Sequence, residues 1–144
     1  LAAKEALHNH IVYLTYTDMK TKKQFEYELL SEFTYALNNG QIYMVYQPII
    51  DLKSKKPKAI EALIRWDHPI KNSITPDQFI PAVEQTSMIH EMTLHVFDWV
   101  LKFATKLLEN NITMQASINI SAKNLYDDHF YKNNTIIGYC AYWF

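Results

Sequence analysis

A charged pair lies within an otherwise apolar segment near the middle of the chain. Residues 59–66 read Ala-Ile-Glu-Ala-Leu-Ile-Arg-Trp, a composition typical of a β-strand. Because side chains alternate between the two faces of a strand, Glu61 and Arg65 point the same way. A buried carboxylate is costly unless it is paired or bound to a cation. Glu61 is therefore a candidate cation ligand, although a solvent-facing strand edge or a structural Glu/Arg pair is the more common reading of these residue types.

Two neutral polar residues raise the same question. Asn119 belongs to the polar set of an alternating segment, residues 114–121, and its amide oxygen can ligate a hard cation. Gln47 precedes Pro48, which predicts that its strand ends or bends there. From residue type alone, an asparagine such as Asn119 is usually an ordinary hydrogen-bonding residue, and a strand-end glutamine such as Gln47 is commonly structural.

Other kinds of catalytic site find no support in the sequence. His90 and His95 are five residues apart, so on a helix the second side chain points roughly 140° away from the first, unlike the histidines of HExxH metalloproteases. The two glycines, Gly40 and Gly138, form no glycine-rich phosphate loop. Cys140 is the single cysteine and stands in no recognisable nucleophile motif, which favours a reducing, cytoplasmic setting.

Composition and charge limit the class of protein that the chain can be. The chain has 144 residues, 49% of them hydrophobic, which is enough for the core of one domain. Its 14 basic and 15 acidic residues are dispersed, so charge indicates neither duplex nucleic acid nor an anionic membrane as a partner. The sequence contains no apolar run of about 18 residues, and we expect this chain to have no membrane segment.

The elements that would position the polar residues alternate between helices and strands. Thr75, Pro76 and Gln78 form the start signal of a helix, with an N-cap, a proline at the first helical position and a capping-box glutamine. The order of elements predicts an α/β class, with a partly parallel sheet covered by helices. In chain order we predict a weak strand at residues 11–14, a charged turn at 20–23, a helix from 24 that ends at Gly40, strands over 41–52 and 59–66, a loop through His68 and Pro69, two helical pieces from 76 that divide near 86–87 and end at 110, and a strand over 114–121.

Several segments together resemble the successive motif blocks of EAL domains. The tripeptide Glu-Ala-Leu alone would mean nothing, but an ordered set spread over about a hundred residues is specific. The resemblance implies a partial (β/α)8 TIM-type barrel, first strands and helices only, with its active site at the C-terminal ends of the strands. The matching segments are Tyr-Gln-Pro-Ile at 46–49, Glu-Ala-Leu-Ile-Arg-Trp at 61–66, His-Pro at 68–69, Thr-Pro at 75–76, Phe-Ile-Pro at 79–81, Glu84 and Ser-Ile-Asn-Ile-Ser at 117–121.

The resemblance also implies roles for the four polar residues. In EAL domains, the positions of Glu61 and Asn119 bind divalent metal, the position of Arg65 contacts the phosphate of cyclic di-GMP, and the position of Gln47 lies near the substrate. Oxygen ligands of this kind suit Mg²⁺ or Mn²⁺, and two such ions support hydrolysis of a phosphodiester. The family reaction would convert cyclic di-GMP to linear pGpG.

The resemblance further implies a division of the chain. Residues 1–23 are expected to be a linker or the tail of an upstream GGDEF-like domain, residues 24–130 the N-terminal part of an EAL domain, and residues 131–144 an unmatched tail. The family's later catalytic blocks are not found in that tail. We therefore expect a truncated EAL protein that is inactive alone. The alternatives are a non-catalytic cyclic di-GMP-binding or interaction module and an inactive remnant; an upstream sensor domain and a homo-oligomer are expected partners.

Overall fold

The computed structural model describes residues 2–7 and 10–126. The predicted tail, residues 131–144, and Cys140 lie outside this part of the chain. Ten elements follow one another in the described residues, and no helix among them is long and apolar enough to cross a membrane. They are β1 Ala2–Leu7, β2 His10–Thr15, α1 Tyr16–Asn38, β3 Ile42–Ile50, β4 Pro57–His68, β5 Asn72–Ile74, α2 Pro76–Glu84, α3 Met88–Glu109, β6 Gln115–Ile118 and α4 Ala122–Tyr126.

Two sheets organise the described strands. Strands β1 and β2 pair as an antiparallel hairpin. In the second sheet, β4 is the central strand: it pairs antiparallel with β3 along one edge, and on the other edge it pairs antiparallel with β5 and parallel with β6. The parallel pairing of β4 and β6 across the two helices α2 and α3 is the βαβ arrangement that the order of elements predicted.

Helix α1 differs from the sequence prediction at its start. It begins at Tyr16 rather than at Gln24, so the predicted charged turn at residues 20–23 is wrong. Residues 19–24 are all exposed and show no apolar periodicity, yet they include no glycine or proline that would interrupt a helix. The predicted end is confirmed, since α1 stops at Asn38 and Gly40 adopts a φ of +74°, a left-handed conformation that favours glycine.

The region after β4 contains a strand that the sequence did not predict. The segment through His68 and Pro69 was expected to be a loop, but β4 continues to His68 and turns back into β5. The backbone N–H groups of Ile70 and Lys71 both donate to Nδ1 of His68, at 3.1 Å each, and close this turn. A three-residue strand is too short to show the alternation by which strands are predicted.

The helices pack on one face of the second sheet. Trp66 of β4 is fully buried there, in edge-to-face contact with Phe33 of α1 and Phe79 of α2, with ring centroids 5.8 and 5.4 Å apart. The predicted start of α2 is confirmed, because Gln78 Oε1 accepts the backbone N–H of Thr75 at 2.9 Å. The other buried side chains of this core are Leu29, Ala36, Leu37, Ile42, Ala62, Ile64, Ile74, Val83, Ile89, Met92, Val96 and Val100.

Candidate metal and substrate site

The face of β4 that is turned away from the helices carries both charged residues of the apolar strand. The buried residues Ala62, Ile64 and Trp66 alternate with Glu61 and Arg65, which are only partly buried. The alternation that the sequence predicted is thus present. The helices occupy the apolar side, and they leave Glu61 and Arg65 on the open side of the sheet.

Cross-strand pairing brings two further polar residues to the level of Glu61. Gln47 of β3 lies directly opposite Glu61 on one edge of β4, and Ser117 of β6 lies opposite it on the other edge. Directly paired residues in neighbouring strands share a face of the sheet. Gln47, Glu61 and Ser117 therefore form one polar row across three strands, on the side without helices.

Asn119 joins this row from the end of β6. The strand ends at Ile118, so Asn119 follows it, whereas the sequence had predicted a strand that continues to residue 121. The Asn119 side-chain Nδ2 donates to Glu61 Oε1 at 3.2 Å. The two residues are 58 positions apart in the chain, and the parallel pairing of β4 with β6 is what brings them into contact.

Arg65 lies farther along the same face. It is four residue steps from Glu61, a distance of about 13 Å along the extended strand β4. Its Nη1 donates to the carbonyl oxygen of Ile64 at 2.8 Å. Within the described residues Glu61 and Arg65 form no ion pair with each other, so the structural Glu/Arg pair that the sequence left open is not formed.

The Arg65 end of this face carries a hydrogen-bonded tyrosine. Tyr43 of β3 lies opposite Arg65 in the strand register, and its hydroxyl donates to Asp67 Oδ2 at 2.8 Å. The hydrogen bond to Asp67 raises the pKa of the Tyr43 phenol, because ionisation would place two negative oxygens in contact. Tyr43 therefore stays neutral beside Arg65 at physiological pH.

A small cavity lies between Arg65 and Asn119. It has a volume of about 90 Å³ and lies beside Asn119, Leu63 and Arg65, with Pro76 and Ile80 of α2 on another side. Its position is at the carboxyl end of the parallel β4 and β6 pair, which is where α/β barrels place their ligands. The structure thus groups Gln47, Glu61 and Asn119 closely and leaves Arg65 about 13 Å away along β4.

The donor set near Glu61 suits part of a hard-cation site. Glu61 offers carboxylate oxygens, and Asn119 offers an amide oxygen that can turn toward a cation held beside the same carboxylate. In the part of the chain that the structure describes, no group of three or more His, Cys, Asp or Glu side chains could hold a metal ion. The residues present therefore fit a divalent metal as two members of a larger set of oxygen ligands.

Sequence reasoning missed three polar residues around this site. Ser117 alternates with Asn119 and lies in the same polar row, a signal that was present in the pattern of the predicted strand. Lys123 and Asn124, in the short helix after Asn119, gave no signal because their partners are 31 to 39 residues away in the chain.

Comparison with known proteins identifies the family. The family model of the EAL domain matches residues 8–137. The chain belongs to the EAL domain family. The cyclic di-GMP phosphodiesterase PA2567 of Pseudomonas aeruginosa is 33% identical over 113 residues, and the probable cyclic di-GMP phosphodiesterase PdeN of Escherichia coli is 32% identical over 100 residues. These alignments cover 75% and 69% of this chain but 19% of each relative, so the chain spans about a fifth of their length.

Solved EAL structures confirm the fold class. The PaMucR phosphodiesterase, determined as a c-di-GMP complex, superposes with a TM-score of 0.68 and 27% identity, over 76% of this chain and 45% of that one. EAL structures are of the TIM-barrel type, and the described residues form part of such a barrel. EAL domains are also a metal-dependent family. The division of the chain near residue 23 stays a prediction.

Proposed function

We propose that this EAL chain carries the first part of a cyclic di-GMP phosphodiesterase site, in which Glu61 and Asn119 bind Mg²⁺ or Mn²⁺ while Arg65 and Gln47 contact the substrate. The observation that carries the proposal is the 3.2 Å contact between the side chains of Asn119 and Glu61. It joins two oxygen-bearing residues, one in β4 and one directly after β6, on the face of the sheet that the helices leave open.

The chemistry of the donor set supports a hard divalent ion. Carboxylate and amide oxygens are the ligands that Mg²⁺ and Mn²⁺ prefer. Bound in pairs, such ions supply an activated water and stabilise the charge that develops on a phosphodiester under in-line attack. Within this chain, Glu61 and Asn119 would hold the metal, and the fixed strand pairing between β4 and β6 would keep them together.

The separation of Arg65 from Glu61 supports its role toward a dinucleotide. A guanidinium presents a planar set of donors that matches phosphate oxygens, and in this structure Arg65 has no carboxylate partner among the described residues. At about 13 Å from Glu61 along the strand, it can reach a phosphate other than the one at the metal. Gln47, opposite Glu61, offers an amide to the same ligand.

The wider setting follows from the same proposal. Cyclic di-GMP is the proposed ligand, an upstream GGDEF or sensor domain the proposed neighbour, and the cytoplasm the proposed location, which the single cysteine of the sequence suits. The outer edge of β3 pairs with no other strand in the described residues. An exposed strand edge favours association, so a homo-oligomer is part of the proposal.

A second candidate function is binding of cyclic di-GMP without turnover. It is favoured because the described residues contain no group of three or more His, Cys, Asp or Glu side chains that could hold a metal ion, and Glu61 is the one carboxylate in the contact with Asn119. On this view the chain retains affinity through Arg65 and Gln47 but does not hydrolyse the phosphodiester. An inactive remnant would show neither property.

Calorimetry and product analysis separate these functions. We expect Mn²⁺ to bind weakly to the chain. Glu61→Gln should weaken that binding by about tenfold or more, since Glu61 is the charged member of the pair and Asn119 is neutral. Glu109→Gln is the matched control, because Glu109 is exposed at the far end of α3. Equal Mn²⁺ affinity in the two variants would refute the metal assignment.

Cyclic di-GMP titration with and without Mn²⁺ tests the substrate residues. We expect measurable affinity that Arg65→Ala abolishes and the exposed-site control Lys106→Ala preserves. Release of pGpG above the Glu61→Gln background would establish a phosphodiesterase. Affinity without release would establish the binding module, and absence of both would leave an inactive remnant.

A further inference from the structure

The short helix α4 directly follows the candidate metal ligand Asn119, and it carries a buried polar residue. Asn124 is only 1% exposed. Its Nδ2 donates to Thr93 Oγ1 of α3, and its Oδ1 meets Nδ1 of His90 on the same helix. Burying an asparagine on a five-residue helix is costly unless both ends of its amide are satisfied, and here both are.

The direction of every bond in this group is determined by one neighbour. The Thr93 hydroxyl donates to the carbonyl oxygen of Ile89 at 2.8 Å, so its oxygen is left to accept from Asn124 Nδ2. The Asn124 oxygen can then only accept, which requires that His90 Nδ1 carries its hydrogen. The position therefore requires a side chain with a donor on one side and an acceptor on the other, as an amide provides.

Lys123, the preceding residue, binds the end of another helix. Its Nζ donates to the carbonyl oxygens of Glu84 and Thr86, at 3.2 and 3.1 Å. Glu84 is the last residue of α2 and Thr86 follows its C-cap Gln85, so the ammonium lies at the C-terminal, negative end of the helix dipole. Lys123 thus satisfies the C-terminal end of α2 with a cation.

These contacts fix the segment that contains Asn119 from both sides. On one side, Ile118 pairs with Ala62 in the β4 and β6 ladder. On the other, the lock formed by Lys123 and Asn124 attaches α4 to α2 and α3. Only residues 119–121 connect the ladder to the helix, so little backbone freedom remains at Asn119.

We infer that Lys123 and Asn124 are positioning residues, which hold the amide of Asn119 within reach of Glu61 and so build the metal site from outside it. This inference rests on the proposed function for the importance of the site. Neither residue touches the metal ligands themselves, since their partners lie on α2 and α3, on the helix side of the sheet.

Two variants test the lock. Lys123→Met keeps the length and apolar stem of the side chain but removes the ammonium, and Asn124→Asp keeps the shape but replaces the donor to Thr93 with an acceptor. We expect each to reduce Mn²⁺ affinity by about tenfold, the scale typical of residues that orient metal ligands. Lys106→Met, at an exposed site of α3, is the matched control for the lysine and should change nothing. Lys123→Arg, which can still donate to the two carbonyls, should restore the affinity.

A double-variant cycle distinguishes positioning from a general structural role. In an Asn119→Ala background, Lys123→Met should cause no further loss of Mn²⁺ affinity, because the ligand that it positions is already gone. Losses that add in the double variant would refute the inference.

A metal-free measurement keeps the test valid if the proposed function fails. The side-chain NH₂ signals of Asn119 in a ¹⁵N spectrum, assigned through Asn119→Ala, report the contact with Glu61 directly. We expect them to shift in Lys123→Met and Asn124→Asp and to stay in place in Lys106→Met. Unchanged Asn119 signals in folded Lys123→Met would overturn the positioning role, whereas absence of Mn²⁺ binding with shifted signals would overturn only the metal site.

Discussion

His68 joins the turn after β4 to helix α1, and its two ring nitrogens have separate tasks. Nδ1 accepts the backbone N–H groups of Ile70 and Lys71 at 3.1 Å each, so the ring hydrogen is on Nε2. Nε2 donates to Glu32 Oε2 at 2.7 Å. The His68 side chain is fully buried, whereas that of Glu32 is 44% exposed. Two substitutions can therefore remove one task each.

His68→Asn and His68→Gln form a matched pair. The asparagine oxygen falls near the position of Nδ1 and keeps the two turn bonds, while the contact with Glu32 is lost. The glutamine amide can reach Glu32 like Nε2, but it leaves two backbone donors without their acceptor. We expect a loss of about 1 kcal/mol for His68→Asn, because the exposure of Glu32 reduces the value of a bond to a charged group, and about 2 kcal/mol for His68→Gln, from two unsatisfied donors near the surface.

The pH dependence of the unfolding free energy should change in His68→Asn, which loses the contact with Glu32. The hydrogen bond from His68, aided by Lys71 and partly opposed by burial, lowers the pKa of Glu32 below its ordinary value of 4.5. A lowered folded pKa contributes stability above the ordinary value, and this contribution is lost as pH falls through the folded value. His68→Asn should remove that contribution, so its deficit relative to the wild type should shrink in acid.

Urea unfolding followed by tryptophan fluorescence measures both effects. Trp66, one of three tryptophans in the chain, is fully buried with its ring centroid 6.0 Å from that of His68, so its emission should change when this region unfolds. Unfolding free energies are compared at pH 7 and at a pH below the ordinary value for glutamate. Equal losses in the two variants at pH 7, or a His68→Asn deficit that does not change with pH, would refute the division of tasks between the ring nitrogens.

Two further predictions concern the backbone at Gly40 and the hydrogen bond between Tyr43 and Asp67. Gly40→Ala should destabilise the chain by about 1 kcal/mol, since φ is +74° there and the added Cβ would meet no atom within 4 Å, so backbone strain alone acts; unchanged urea unfolding would contradict this reason. Asp67→Ala should lower the pKa of Tyr43, because the hydrogen bond that raises it is removed. Tyrosine ¹³Cζ titration by NMR checks the shift, and an unchanged titration midpoint of Tyr43 would contradict this cause.

Part of the fold could be predicted because local signals were strong. Helix α2 starts as predicted from Thr75, Pro76 and Gln78. Helix α1 ends just before Gly40, as the sequence predicted. The predicted start of α1 was wrong because residues 19–24 are exposed and show no apolar period. The strand β5 was missed because three residues cannot show alternation, and the turn before it depends on the buried ring of His68.

Part of the candidate site could likewise be predicted from the sequence, and part could not. Alternation in one strand was enough to place Glu61 and Arg65 on the same face, since side-chain direction in a strand is a local property. The contact between Asn119 and Glu61 could not be read from spacing, because 58 residues separate them. The hydrogen bonds of Asn124 could not be predicted for the same reason, since its partners His90 and Thr93 belong to another helix.

The sequence by itself determined the family, the order of most elements and the polar character of one strand face, all of which depend on residue type and near neighbours. Only the tertiary structure decided that Glu61 contacts Asn119 rather than Arg65, and that Lys123 and Asn124 attach α4 to α2 and α3. The physical reason is that strand register and helix packing are set by the burial of distant apolar side chains, such as Trp66 against Phe33 and Phe79, and these bring polar groups together that no local pattern relates.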